Sequence, residues 1–147
     1  MSEAPTPILR LFFDADALLA GAASTRGAAH LLLRLGELGL VEIVTCAYVR
    51  AEVLRNMAAK LPRAEALLEA LLQQAVAVLP DAEDTGAVPG VHPKDVPVWR
   101  AFEQSGAAYL ITFNVRDYPA VRQVCPPGAV IAEIRAMLAG MSDTADR

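Results

Sequence analysis

The chain has 147 residues, of which 54% are hydrophobic and 20% are charged. This length is enough for one domain with a buried core, and the composition excludes an intrinsically disordered chain. The formal net charge of −4 argues against a protein that coats nucleic acid non-specifically, but it leaves open a nuclease whose acidic site is bordered by basic residues.

Nothing in the sequence indicates export or membrane insertion. No apolar stretch reaches about 18 residues without a charge, so we expect no membrane span. The segment Met1 to Pro7 is polar and contains proline, unlike a signal peptide. Cys46 and Cys125 lie far apart without a CxxC pattern, and we interpret them as small core thiols. We therefore expect a cytoplasmic protein.

Taken in chain order, the predicted elements alternate between strands and helices. The predicted strands cover residues 8–13, 42–45, 75–79 and 109–113. The predicted helices cover residues 17–23, 28–38, 47–59, 62–74, 92–104 and 130–141. Residues 80–93 read as a loop and 142–147 as a polar tail. This alternation predicts an α/β fold with a parallel sheet, in a single domain whose core covers about residues 8–140.

The apolar run from Ile8 to Phe13 leads directly into Asp14, Ala15 and Asp16. Such runs usually form a buried strand of a parallel sheet. Asp14 would then lie at the carboxyl end of that strand, where open α/β sheets bind their ligands. Asp16 is a candidate cap for the helix that follows.

Further polar residues stand at the edges of later strands or at the starts of helices: Glu52, Asp95, Asn114 and Asp117. Each alone has a simpler interpretation, as a solvated helix acid, a first-turn acid or a turn cap. Carboxylates that crowd together repel one another unless a cation lies among them. Oxygen ligands without His or Cys suit Mg²⁺ or Mn²⁺.

Four parts of the chain, in this order, resemble the successive motifs of PIN domains: residues 11–19, residues 45–54, Asp95 and residues 109–119. PIN domains are small metal-dependent ribonucleases, and many are toxins of bacterial toxin–antitoxin pairs of the VapC kind. The resemblance covers about residues 8–140 and depends on the order and spacing of the motifs. It implies a three-layer α/β/α domain with a central parallel sheet, Mg²⁺ or Mn²⁺ as cofactor, and hydrolysis of RNA phosphodiester bonds. It also implies a cognate antitoxin protein and a homodimer.

The first three acids of the PIN pattern match Asp14, Glu52 and Asp95, which the resemblance makes catalytic residues and metal ligands. Asp16 stands where most PIN domains have Asn or Ser. At that position the residue supports the first acid and does not bind the metal, so Asp16 is expected to support Asp14.

The last motif departs from the PIN pattern. Asn114 occupies the position after the strand where Asp is common, and Asp117 follows three residues later. Because one turn can bring residue i+3 back toward residue i, we predict that Asp117 faces the acidic cluster and serves the metal. Asn114 would then fix the loop or act as a weaker ligand. Arg116, in the same loop, is our candidate for a contact with RNA.

Two other interpretations stay open at this point. The segment Asp14-Ala15-Asp16 fits the opening motif of haloacid-dehalogenase-like phosphatases, in which the first Asp is a nucleophile and the second a general acid. Lys60 and Lys94 are poorly placed for such a site, and no Asp-Asp pair follows the strand at 109–113. The alternative to an enzyme is a PIN-like scaffold that binds RNA without cleaving it, which the uncharged Asn114 would favour.

Overall fold

The computed structural model describes residues 7–60 and 62–145. The segment Met1 to Pro7, which we interpreted as unlike a signal peptide, lies outside the described residues except for Pro7. The last two residues of the predicted tail also lie outside them. Within this described part, no helix combines the length and the apolar character that crossing a bilayer would require.

Five strands and six α-helices form the described part of the chain. The strands are β1 (Arg10–Phe13), β2 (Glu42–Cys46), β3 (Val76–Leu79), β4 (Tyr109–Ile111) and β5 (Val124–Cys125). The helices are α1 (Ala15–Ala23), α2 (Ala28–Glu37), α3 (Ala47–Lys60), α4 (Glu65–Ala75), α5 (Val96–Ser105) and α6 (Pro127–Ala145). Short 3₁₀ helices cover Pro62–Ala64 and Val115–Asp117.

The five strands form one parallel sheet in the order β3-β2-β1-β4-β5. β1 lies at its centre, and Leu11, Phe12 and Phe13 have no exposed surface. From β1 the chain adds β2 and β3 on one side and later adds β4 and β5 on the other. The strand order therefore reverses between β1 and β4, which opens a crevice beyond their carboxyl ends.

Helices cover the sheet on both faces, which gives the predicted three-layer α/β/α arrangement. Strands buried on both faces read as continuous apolar runs, which is why β1 was recognisable in the sequence. Aromatic packing joins the sheet to α5, since the rings of Phe12 and Phe102 meet edge to face with centroids 6.3 Å apart.

The structure departs from the prediction at several points, which include the start of β1 at Arg10, the end of β4 at Ile111 and the start of α5 at Val96. The prediction that Asp16 caps α1 is wrong, because Asp14 is the N-cap residue and its carboxylate accepts a hydrogen bond from the Ala15 N–H. β5 was not predicted, since a strand of two residues is too short to show a periodic pattern. α6 begins at Pro127, where proline suits a first turn, and it continues through most of the segment predicted as a tail.

Candidate functional site

A cavity of about 280 Å³ contains all the acids singled out in the sequence. We call it the acidic cavity. It brings together residues from the carboxyl ends of β1 and β4, from α3, and from the segment that leads into α5. Its lining consists of Asp14, Ala15, Asp16, Leu19, Tyr48, Glu52, Asn56, Lys60, Lys94, Asp95, Asn114 and Asp117.

Asp14 is the most firmly held of these side chains, with 8% of its surface exposed. Its Oδ1 accepts a hydrogen bond from the Ala15 N–H at 2.7 Å, and its Oδ2 accepts one from the Tyr118 hydroxyl at 2.7 Å. The Thr112 hydroxyl lies 3.2 Å from the same Oδ2. The backbone N–H of Asp14 donates to the carbonyl of Ile111 at 3.0 Å, which joins the ends of β1 and β4. The carboxylate is thus fixed before any ligand arrives.

Asp16 lies beside Asp14 and binds the backbone that follows β4. Its Oδ2 accepts a hydrogen bond from the Phe113 N–H at 2.8 Å, and both its oxygens lie 3.2 Å from the Thr112 hydroxyl. Burial, and after it the charge of Asp14, raises the pKa of Asp16. The side chain therefore ties α1 to the end of β4, an arrangement consistent with the predicted supporting role.

Glu52 and Asp95 show the electrostatic character of the acidic cavity. Burial and then the charge of Asp14 raise the pKa of Glu52. Burial and then the charge of Asp117 raise the pKa of Asp95. Asp95 is the N-cap residue of α5 but makes no side-chain cap hydrogen bond. Its Oδ2 is buried without a hydrogen-bond partner among the described residues, so capping of α5 by a side-chain hydrogen bond does not explain this acid.

The donor chemistry of the acidic cavity fits a hard divalent cation. A cation would give the unpartnered Asp95 oxygen a bonding partner and would reduce the repulsion between the carboxylates. Carboxylate and amide oxygens are the ligands that Mg²⁺ prefers. Within residues 7–60 and 62–145, however, no three His, Cys, Asp or Glu side chains are grouped closely enough to hold an ion as they stand. Direct coordination of one ion by three of these carboxylates would therefore require side-chain rotation in the acidic cavity.

The turn after β4 contains Asn114 and Asp117, the two residues of the last motif, which differs from the PIN pattern. The Asp117 N–H donates to the Asn114 carbonyl at 3.0 Å, and this 3₁₀ turn brings both residues to the acidic cavity. The charge of Asp117 acts on Asp95, so the two carboxylates are near each other. Arg116 is exposed in the same turn and is not among the residues that line the acidic cavity.

Several residues of the site were missed in the sequence. Thr112 directly follows β4, but it lay inside the strand predicted at 109–113 and was therefore not recognised as a residue beyond the strand end. Tyr118 gave no signal in the sequence, because its contact with Asp14 depends on the conformation of the turn. Lys60 and Lys94, judged poorly placed for a phosphatase, both line the acidic cavity.

The parallel five-stranded sheet between two layers of helices is similar to a solved PIN-domain structure, so the resemblance seen in the sequence is confirmed at the level of the fold. Among solved structures, that of VapC20 from Mycobacterium tuberculosis, described as a toxin that cleaves the sarcin–ricin loop, is similar. The TM-score is 0.50, the match covers 71% of this chain and 89% of that chain, and the sequence identity is 16%. No protein-family model matches the sequence, and no curated protein matches it.

Proposed function

We propose that the protein is a divalent-metal-dependent endoribonuclease that hydrolyses RNA phosphodiester bonds. The observation that carries this proposal is the acidic cavity, in which Asp14, Glu52, Asp95 and Asp117 gather and one oxygen of Asp95 has no partner among the described residues. The similarity of the fold to VapC20, described as cleaving the sarcin–ricin loop, supports RNA as the substrate.

In this proposal Asp14, Glu52 and Asp95 hold Mg²⁺ or Mn²⁺, and Asp117 or Asn114 completes the set of ligands. A bound divalent cation supplies an activated water and neutralises charge on a phosphoryl group. Asp14 needs little reorganisation to take part, because the Ala15 N–H and the Tyr118 hydroxyl already orient it.

Other residues of the site support the acids or provide contacts for RNA. Asp16 and Thr112 keep the ends of β1 and β4 together. Lys60 and Lys94 line the acidic cavity and provide positive charge for RNA phosphates, and the exposed Arg116 contacts RNA outside it.

We further propose that the chain is the toxin of a toxin–antitoxin pair, acting in the cytoplasm as a homodimer. The description of VapC20 as a toxin supports this reading. An antitoxin would inhibit the nuclease by covering the acidic cavity. Exposed apolar side chains on α6, Leu138 and Met141, are available for a protein contact such as dimerisation.

The orientation of Asp16 weighs against the phosphatase alternative. The second Asp of that motif must present a proton to the leaving group as a general acid. Here the Asp16 carboxylate is turned to the Phe113 N–H and the Thr112 hydroxyl. It acts as a hydrogen-bond acceptor within the fold, which suits a supporting role better.

The test is cleavage of RNA by the purified protein with Mg²⁺, with Mn²⁺ and with EDTA. We expect cleavage only with metal, and a loss of roughly 100-fold or more in Asp14→Asn and Glu52→Gln, since each change removes one charge from the acidic cavity. Glu69→Gln, on the exposed side of α4, is the matched control. Circular dichroism establishes that each variant is folded.

Cleavage that persists in EDTA or in both cavity variants would contradict the proposal. RNA binding without cleavage under any metal condition would favour the inactive scaffold. Phosphate release from small phosphomonoesters would favour the phosphatase.

A further inference from the structure

The connection from β3 to α5, residues 80–95, contains neither helix nor strand. Connections longer than about 12–15 residues are usually either functional or disordered. This one is held in place, because the Arg100 guanidinium donates to the carbonyls of Gly86 at 3.0 Å and Ala87 at 3.2 Å. Asp84 Oδ1 also accepts a hydrogen bond from the Gly86 N–H at 2.8 Å. A fixed connection of this length favours the functional interpretation.

The connection forms one side of a second cavity, of about 410 Å³, which we call the apolar cavity. This volume is within the range of roughly 300–1,000 Å³ typical of small-molecule sites. Its apolar walls include Ala87, Val91 and Val96, and its polar side chains include Asp81, Asp84 and Thr85.

Tyr48 lines both the apolar cavity and the acidic cavity. It is fixed at both ends, since its N–H donates to Asp81 Oδ1 at 2.8 Å and its hydroxyl donates to the Lys94 carbonyl at 2.8 Å. Tyr48 therefore forms a common wall between the acidic cavity, which suits a cation and a phosphate, and the apolar cavity. A nucleotide bound at this wall would have its two chemically different ends in the two cavities.

We propose that the apolar cavity binds an unstacked RNA base that carries an exocyclic amino group, next to the phosphate bound at the acidic cavity. The assignment of the base to RNA rests on the proposed function. Apolar walls and an aromatic ring suit the face of a base. A carboxylate in the lining, such as Asp84, accepts from an amino group as carboxylates do from cytosine. Asp84 is held for this role, because its Oδ1 accepts from the Gly86 N–H and its Oδ2 lies 3.8 Å from the Arg100 guanidinium. Uracil has no amino group to offer.

The experiment uses adenosine, cytidine and uridine, which carry no phosphate, in EDTA so that no cation bridges to the acidic cavity. Binding is followed by NMR chemical-shift titration of the full chain. We expect adenosine and cytidine to bind saturably and uridine about tenfold more weakly, a difference of about 1.4 kcal/mol. Ala87→Phe fills the apolar cavity and should weaken cytidine binding by about tenfold or more. Ala132→Phe, at an exposed position on α6, should leave it unchanged.

Two further variants sharpen the result. Thr85→Trp fills the apolar cavity from a second, exposed position and replaces Ala87→Phe if that variant unfolds. Asp84→Asn should bring the affinities for cytidine and uridine closer together, because the charged acceptor is lost. Equal binding of uridine and cytidine by the wild type, or undiminished binding in the filled variants, would overturn the proposal. Nucleoside binding without RNA cleavage would refute only the ribonuclease, whereas cleavage without nucleoside binding would refute only the base site.

Discussion

Replacing Tyr118 by Phe isolates one hydrogen bond of the candidate site. The Tyr118 hydroxyl donates to Asp14 Oδ2 at 2.7 Å, and the two residues are only 5% and 8% exposed. The ring lies against Trp99, with centroids 6.4 Å apart, and a phenyl ring preserves that contact. A hydrogen bond to a charged group contributes about 1.5–3 kcal/mol. Because the Thr112 hydroxyl still faces the same oxygen at 3.2 Å, we expect a loss of about 2 kcal/mol.

The loss should be visible as a lower melting temperature. In a domain of about this size, 1 kcal/mol corresponds to roughly 2–4 °C, so Tyr118→Phe should melt about 4–8 °C below the wild type. Burial, and after it the charge of Asp14, raises the pKa of Tyr118, so the hydroxyl stays protonated at neutral and mildly alkaline pH. The difference in melting temperature should therefore be constant from about pH 7 to 9.

The assay is thermal unfolding by circular dichroism in EDTA, repeated with saturating Mg²⁺. Without Tyr118 the single hydroxyl proton of Thr112 must serve either Asp14 or Asp16, so Asp14 is less well oriented and Mg²⁺ should raise the melting temperature less than in the wild type. Tyr109→Phe is the matched control, because among the described contacts its hydroxyl forms no hydrogen bond. If Tyr118→Phe is as stable as the wild type, or if Tyr109→Phe loses as much, then the hydrogen bond does not hold Asp14.

Two other predictions concern the carboxylates. The pKa values of Glu52 and Asp95 are raised above their ordinary values of 4.5 and 3.8, so the folded state takes up protons more readily than the unfolded state. In EDTA the melting temperature should rise as the pH falls from neutral through these raised values, and saturating Mg²⁺ should abolish that rise. A flat profile in EDTA would contradict the raised pKa values of the two acids. In RNA cleavage assays titrated with Mg²⁺, Asp117→Asn should raise the metal concentration needed more than Asn114→Ala does, and the reverse order would make the amide the better ligand.

The sequence predicted those parts of the molecule that depend on local patterns. The apolar run of β1 identified a central strand, and Asp14 followed from its position at the end of that strand. The edge strand β5 has only two residues and could not be recognised, since its pairing with β4 exists only in the folded sheet. The assignment of the α1 cap to Asp16 failed for a related reason. Asp14 and Asp16 are equally good capping residues by composition, and tertiary contacts decide between them.

Contacts between distant segments explain the part of the site that the sequence did not predict. Tyr118 and Asp14 are separated by most of the chain, and their hydrogen bond requires the 3₁₀ turn at Val115–Asp117. The two cavities share Tyr48 only because β3, α3 and the connection 80–95 meet at one end of the sheet. Sequence patterns within one segment cannot predict such contacts between distant segments. The order of the motifs did predict that the acids lie close together.

In the last motif the charged residue is Asp117, while Asn114 occupies the position where Asp is common, and this affects the charge of the acidic cavity. Asn114 lies three residues beyond the end of β4, and Asp117 lies one turn later. The motif supplies one carboxylate to the acidic cavity, as a motif with Asp at the first position alone would do. Burial raises the pKa of Asp95 most, and the charge of Asp117 is the next cause. Aspartate in place of Asn114 would add a further carboxylate to a cavity whose lining already contains five, those of Asp14, Asp16, Glu52, Asp95 and Asp117. In the proposed nuclease, Asp117 would therefore supply the charge of this motif beside Asp95, whose Oδ2 has no hydrogen-bond partner among the described residues.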